Sequence, residues 1–242
     1  MNMRILAAIP FALVASAAAG LSAADLEVNI GFDGSGGMII HKKIDSIQER
    51  QQRNVVMQKR DYSCGAAALA TLFNFYLREP VEETEIIRSL LDLNKKKGTL
   101  EKVIERKGFS LLDLKHFAEE KNFKSEGYRL KVEDLVKLKT PAIVPIIPHG
   151  YKHFVVFRGA DQERAYIADP SAGNITMPLE QFEKDWYGFT NVALVVMPQD
   201  GRLIEEHLLS LGEMDQLFIE QNNFPDLMDR TGLILPHIPG EF

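Results

Sequence analysis

Around Pro141 the hydrophobic pattern changes period, and that change limits the folds open to the chain. Before it, residues 66–77 are rich in Ala and Leu and apolar on most faces, which predicts a buried helix that Pro80 stops. Glu82, Glu83 and Glu85 crowd the first turn of a second helix expected to end near Leu93, where they suit the positive end of the helix dipole. Residues 100–107, 111–121 and 132–138 predict shorter helices, with Gly108 and Gly127 as punctuation, and Lys95, Lys96 and Lys97 predict a solvated loop. After Pro141, residues 142–147, 153–157, 165–169 and 191–197 are short apolar runs separated by Gly, Asp and Pro. Such runs predict strands of an antiparallel sheet. A helical half followed by a sheet half gives an α+β domain over residues 55–198.

The flanks differ in character. Residues 1–24 hold one basic residue, Arg4, then an apolar run, then Ser22-Ala23-Ala24 before Asp25, the layout of a secretory signal peptide. The run falls short of the roughly 20 residues a membrane span needs, so the expected product is periplasmic or secreted, without a stable membrane span after cleavage; an uncleaved anchor is the alternative. Residues 25–54 form an N-terminal extension with a hairpin: an alternating stretch at 26–30, a glycine turn at 34–37 and an apolar stretch at 38–40. Val55 to Gln58 is strand-like and leads into the domain. Residues 199–242 form a C-terminal extension with amphipathic segments at 203–211 and 214–222. A hydrophobic fraction of 45% supports a packed core, and a net charge of -6 argues against nucleic acid as a partner.

The chain has one cysteine, Cys64, in the stretch Asp61-Tyr62-Ser63-Cys64-Gly65-Ala66. In an exported protein an unpaired cysteine is a free thiol or an intermolecular bridge. Cys64 reads either as a small buried hydrophobe or as a nucleophile. Its place at the start of the buried helix favours the second, because unpaired N–H groups there stabilise the attacking thiolate. Gly65 is expected to leave room for a substrate carbonyl beside the sulfur.

A thiolate nucleophile needs a base, and the base an orienting acceptor. Of six histidines, His153 opens an apolar strand, and Asp169 closes the next one, 16 residues later, so a hairpin can join them. His149 is the alternative base. Gln58, six residues before Cys64, can donate its amide to a developing oxyanion. Taken singly, a strand histidine is usually half-buried surface and Asp-Pro a common turn starter. Trp186 and Tyr187, after an acidic helix at 179–185, read as core aromatics or as groove lining.

Gln58, the Asp61–Leu69 stretch, His153-Phe154-Val155-Val156 and Asp169-Pro170, in that order, resemble the bacteriocin-processing cysteine peptidases, papain-like domains that cut double-glycine leaders. The resemblance spans roughly residues 53–198. It implies a papain-like fold and peptide-bond hydrolysis without metal or cofactor. It implies Cys64 as nucleophile, His153 as general base, Asp169 as orienting residue and Gln58 as oxyanion donor. The best-known members carry a transporter and an ATPase; this chain has no G-x-x-x-x-G-K-[ST] loop, so ATP is not an expected partner. The expected partner is a polypeptide substrate, such as a secreted fibre or surface protein, with its export machinery. A non-cleaving peptide-binding adaptor and a hydrolase of a cell-wall amide are the alternative readings.

Overall fold

The structure, a computed structural model, describes residues 24–30, 38–44, 46–187 and 191–211. The expected signal peptide lies outside them except for Ala24, as do the glycine turn at 34–37 and the segment at 214–222. The chain divides into two compact units, Met1–Arg50 and Gln51–Phe242.

In the first unit, β1 (Ala24–Ile30) pairs antiparallel with β2 (Met38–Ile44), in register from Ala24 opposite Ile44 to Ile30 opposite Met38. These are the two strands expected of the extension, the second longer than its apolar part. The short helix α1 (Ile47–Gln51) begins with a reciprocal cap, in which Ser46 N–H donates to Glu49 Oε2 at 2.7 Å and Glu49 N–H donates to Ser46 Oγ at 3.1 Å.

In the second unit the helices come first: α2 (Cys64–Leu72), a π-helical turn (Phe73–Leu77), α3 (Glu83–Lys97), α4 (Leu100–Glu105) and α5 (Leu111–Glu120). Then follow β3 (Phe123–Arg129), α6 (Val132–Leu135), β4 (Ala142–Ile146), β5 (His153–Ala160), β6 (Arg164–Asp169), β7 (Gly173–Pro178), α7 (Leu179–Tyr187) and β8 (Val192–Pro198). The strands make one antiparallel sheet in the order β3-β8-β4-β5-β6-β7. This is the α+β arrangement that the change of period around Pro141 predicts, and the papain-like one that the family resemblance implies.

Strand alternation sends side chains to both faces of the sheet. On one face Ile143, Val156, Leu194 and Val196 pack with Leu69, Phe73, Leu90 and Phe117 of the helical half. On the other Val144, Val155, Phe157 and Val195 pack with Leu135, Phe182 and Trp186. Every residue of α2 is buried, which suits its alanines: small side chains let the helix backbone lie close to β5. Trp186 is wholly buried, 5.9 Å from the Phe182 ring, so it is core and not groove lining.

Several expectations need correction. The lysine run is the last turn of α3, not a loop; Gly98 ends that helix in the left-handed conformation at φ 67°, and three cations suit a helix C-terminus. Strand β3 went unforeseen because Phe123-Lys124-Ser125-Glu126-Gly127-Tyr128-Arg129 is polar, as an edge strand with mostly exposed residues can be. Strand β7 also went unforeseen, although Asn174-Ile175-Thr176-Met177 alternates polar with apolar residues and Ile175 and Met177 pack on the second core. Val55 to Gln58 forms no strand; Gln58 N–H instead donates to Pro170 O at 2.7 Å.

The segment 203–211 is irregular and tied down from several sides. A bulge between Phe157 and Gly159 frees Arg158 from the ladder, and its guanidinium donates to the Leu209 and Ser210 carbonyls, each at 3.0 Å, and to Asn174 Oδ1 at 2.6 Å. Among the described residues no helix is long and apolar enough to cross a membrane.

Gly173 opens β7 at φ +85°, and a Cβ there would lie 2.5 Å from the Gln51 carbonyl oxygen. Asn174 Nδ2 donates to that same carbonyl and to Arg53 O. Gly173→Ala therefore combines left-handed strain with a backbone clash. It should lower the unfolding free energy by about 1–3 kcal/mol in urea titrations; an unchanged midpoint would contradict this close approach.

Candidate active site

Cys64 is the first residue of α2, preceded by Ser63 with non-helical dihedrals (φ -100°, ψ 7°). Ser63 Oγ does not cap the helix; it donates to Arg60 O at 2.8 Å and so closes the turn before the cysteine. Being at the first helical position, Cys64 carries an N–H without an intrahelical acceptor. Its side chain is nearly buried but lines an open cleft of about 360 Å³ together with His153, Tyr62, Tyr151 and Leu112.

His153 is the first residue of β5, opposite Ile146. Asp169 is the last of β6. The β5–β6 register places Val156 opposite Ala168, so the two ends lie side by side, and His153 Nε2 meets Asp169 Oδ1 at 2.7 Å. Neither side chain is accessible, at 5% and 0%. Asp169 Oδ1 also accepts from Ser171 N–H at 2.7 Å, Ser171 Oγ–H at 2.6 Å and Ala172 N–H at 3.3 Å. Its other oxygen is buried without a hydrogen-bond partner.

These contacts set the charges. Burial works against a charged His153, but the charge and hydrogen bond of Asp169, then the hydrogen bond and charge of Cys64, outweigh it and push the imidazole up to about 10. Burial likewise tends to raise Asp169, yet the His153 charge and the His153 and Ser171 hydrogen bonds hold it below the ordinary carboxylate value. With Nε2 committed to Asp169, the ring has Nδ1 left for Cys64. Tyr151 borders the same pair: its ring lies 6.4 Å from that of His153, and its hydroxyl donates to Asp61 O at 3.2 Å. Burial, then the charges of Cys64 and Asp61, raise the Tyr151 hydroxyl.

Cys64, His153 and Asp169 are thus brought together. Gln58 is tied by its backbone to Pro170, next to Asp169, and its side-chain Oε1 is buried without a partner. His149 sits exposed on a turn at φ 52°. Gly65 does not leave the room expected of it: a Cβ there would meet Phe154 Cδ2 at 3.2 Å and Leu114 Cδ1 at 3.4 Å. The glycine serves the packing of α2 against β5 and α5 and does not open a path for a carbonyl. Sequence reasoning missed Ser171, whose signal was the Asp-Pro-Ser turn, where a side-chain carboxylate collects the following N–H groups. It also missed Tyr151, which has no sequence signal beyond its nearness to His153. Among the described residues no three His, Cys, Asp or Glu side chains cluster as metal ligands.

The model of the peptidase C39 family matches residues 52–201. A relative from Pseudomonas aeruginosa, described as probable functional amyloid protease FapD, is 38% identical over 153 residues, covering 63% of this chain and 66% of that protein. Its counterpart in Pseudomonas fluorescens is 37% identical over 159 residues, covering 66% and 68%. The matched segment thus spans about two thirds of the length of these relatives. A crystal structure of a double glycine motif protease from an AMS/PCAT transporter, in complex with its leader peptide, has 27% identity and a TM-score of 0.47, covering 61% of this chain and 94% of that one.

A histidine pushed up to about 10 stabilises the fold fully below its unfolded value near 6.5, and that contribution fades as pH rises through 10. The unfolding free energy of the protein, less that of His153→Phe, should therefore fall between pH 6.5 and 10 in urea titrations. A difference that stays flat or grows over that window would mean that His153 is neutral in the fold.

Proposed function

This chain belongs to the peptidase C39 family of cysteine peptidases, and on that premise we propose that it is an exported, periplasmic endopeptidase in which Cys64, His153, Asp169 and Gln58 carry the reaction. The observation that carries the proposal is the His153–Asp169 contact of 2.7 Å opening, with Cys64, onto one cleft. A nucleophile at a helix start, a base in reach and a buried carboxylate behind the base are the parts that acyl transfer needs.

Cys64 Sγ attacks the scissile carbonyl carbon and the carbonyl π electrons move to oxygen. The oxyanion is held by the Cys64 N–H and the Gln58 amide. His153 Nδ1 gives its proton to the leaving amine as the C–N bond breaks, which leaves a thioester on Cys64. Water then loses a proton to His153 and attacks the thioester, the C–S bond breaks to release the carboxylic acid, and the Cys64 thiolate and His153 imidazolium are restored. Throughout, Asp169 and the Ser171 donors fix the ring orientation and stabilise the imidazolium.

The substrate is an exported polypeptide. The naming of two relatives as probable functional amyloid proteases supports a secreted fibre or surface protein, handled alongside its export machinery. The signal-like residues 1–24 support action outside the cytoplasm.

Iodoacetamide alkylation and peptide turnover separate the roles. Alkylation of Cys64 at pH 6 should be fast in the native protein and at least tenfold slower in His153→Ala, which removes the counter-charge. Gln58→Ala should leave alkylation unchanged, since that reaction forms no oxyanion, yet lower kcat on a cleaved peptide by about 10²–10³. Equal alkylation of native protein and His153→Ala would contradict the assignment of the base.

A further inference from the structure

The lining of the cleft beside Cys64 is rich in cations, with the Asp61 charge near enough to act on Tyr151. Arg106, Lys107 and Lys152 line it and, among the described residues, no Asp or Glu does, although the whole chain has a net charge of -6. Two of these cations are built into a rigid turn after α4. Arg106 Nε donates to Lys102 O at 3.0 Å, and Lys107 takes the left-handed conformation at φ 53°. Gly108 follows at φ +157°, where a Cβ would lie 3.3 Å from the Tyr62 carbonyl oxygen. The turn is therefore pressed against the segment that leads into Cys64, with both cationic side chains exposed. Lys152 lies in the loop just before β5, next to His153, and burial holds its ammonium below the ordinary lysine value. Between the cations the lining is apolar, from Phe109, Leu111, Val192 and Leu112, the last 58% exposed.

We propose that this cleft selects an acidic segment of the polypeptide substrate, with carboxylates facing Arg106, Lys107 and Lys152 and an aliphatic side chain lying on Leu112. The proposal rests on the peptidase reading of the site and names the substrate chemistry it accepts. Three like charges around a low-dielectric cleft focus the potential, attract anionic chains and repel cationic ones. The recognition is electrostatic at the rim, so salt weakens it, and it governs binding more than the chemical step.

The test uses three rhodamine-labelled decapeptides of one Leu/Gly framework, with Glu, Gln or Lys at the same positions. Their binding to Cys64→Ala is followed by fluorescence anisotropy, and their hydrolysis by the native protein by mass spectrometry. The Glu peptide should bind at least tenfold more tightly than the Lys peptide at 20 mM salt, and the gap should shrink severalfold at 0.5 M. Arg106→Glu and Lys107→Glu, both exposed and outside the core, should each weaken binding of the Glu peptide and strengthen that of the Lys peptide. Equal binding of the three peptides, or a preference that salt and charge reversal leave unchanged, would overturn the proposal. Charge-dependent binding to Cys64→Ala with no peptide cut by the native protein would uphold it while removing the cleavage reading on which it was framed.

Discussion

The site depends on one buried carboxylate. Asp169 is wholly inaccessible, and an ion in that position is costly unless it is paired and hydrogen-bonded. Its pairing comes from three sources that the fold must deliver together: the ring of His153 across the β5–β6 ladder, the hydroxyl and N–H of Ser171, and the N–H of Ala172. All of them converge on Oδ1, which leaves Oδ2 without a hydrogen-bond partner. The asymmetry aligns the acceptor with His153 Nε2 and so turns the rest of the ring toward Cys64.

Holding that carboxylate requires the turn after β6 to be fixed from outside. Pro170 O accepts from Gln58 N–H, Gly173 lies against the Gln51 carbonyl, and Asn174 reaches Gln51 and Arg53. The chain entering the domain is thereby laced to the turn that carries Asp169 before it reaches Cys64. Arg158, released from the ladder by a bulge, binds the far side of Asn174 and the carbonyls of Leu209 and Ser210. The sheet positions His153, the strap after β8 braces β5 through Arg158, and the packing of α2 on β5 through Gly65 and Phe154 brings Cys64 to the same cleft. The placement of Cys64, His153 and Asp169 is thus a product of backbone contacts as well as of the contacts among these side chains.

Much of this could be read from the chain. The alanines of α2, the single cysteine at its start and the apolar runs after Pro141 announced a helical half, a sheet half and a cysteine where the buried helix begins. The His153–Asp169 pair was legible because both ends of two neighbouring apolar strands carried a polar residue with no packing role. What stayed hidden has a physical cause in each case. β3 is polar and mostly exposed, so alternation did not mark it, and the alternation of β7 is confined to the four residues Asn174 to Met177, directly after a turn. The meaning of Gly65 depended on Phe154, some ninety positions away, and long-range packing leaves no local signature. The cations of the cleft come from two segments that only the fold brings together, and Arg106 and Lys107 alone read as a solvated helix end.

The charge state of His153 tests the central claim most directly. ¹⁵N NMR of the imidazole in the native protein at pH 7, with Asp169→Asn alongside, reads it without any substrate. Both ring nitrogens protonated in the native protein, with a titration midpoint that drops in Asp169→Asn, is the result this account predicts. A neutral ring at pH 7 that titrates near its ordinary value of about 6.5, unmoved by Asp169→Asn, would contradict it.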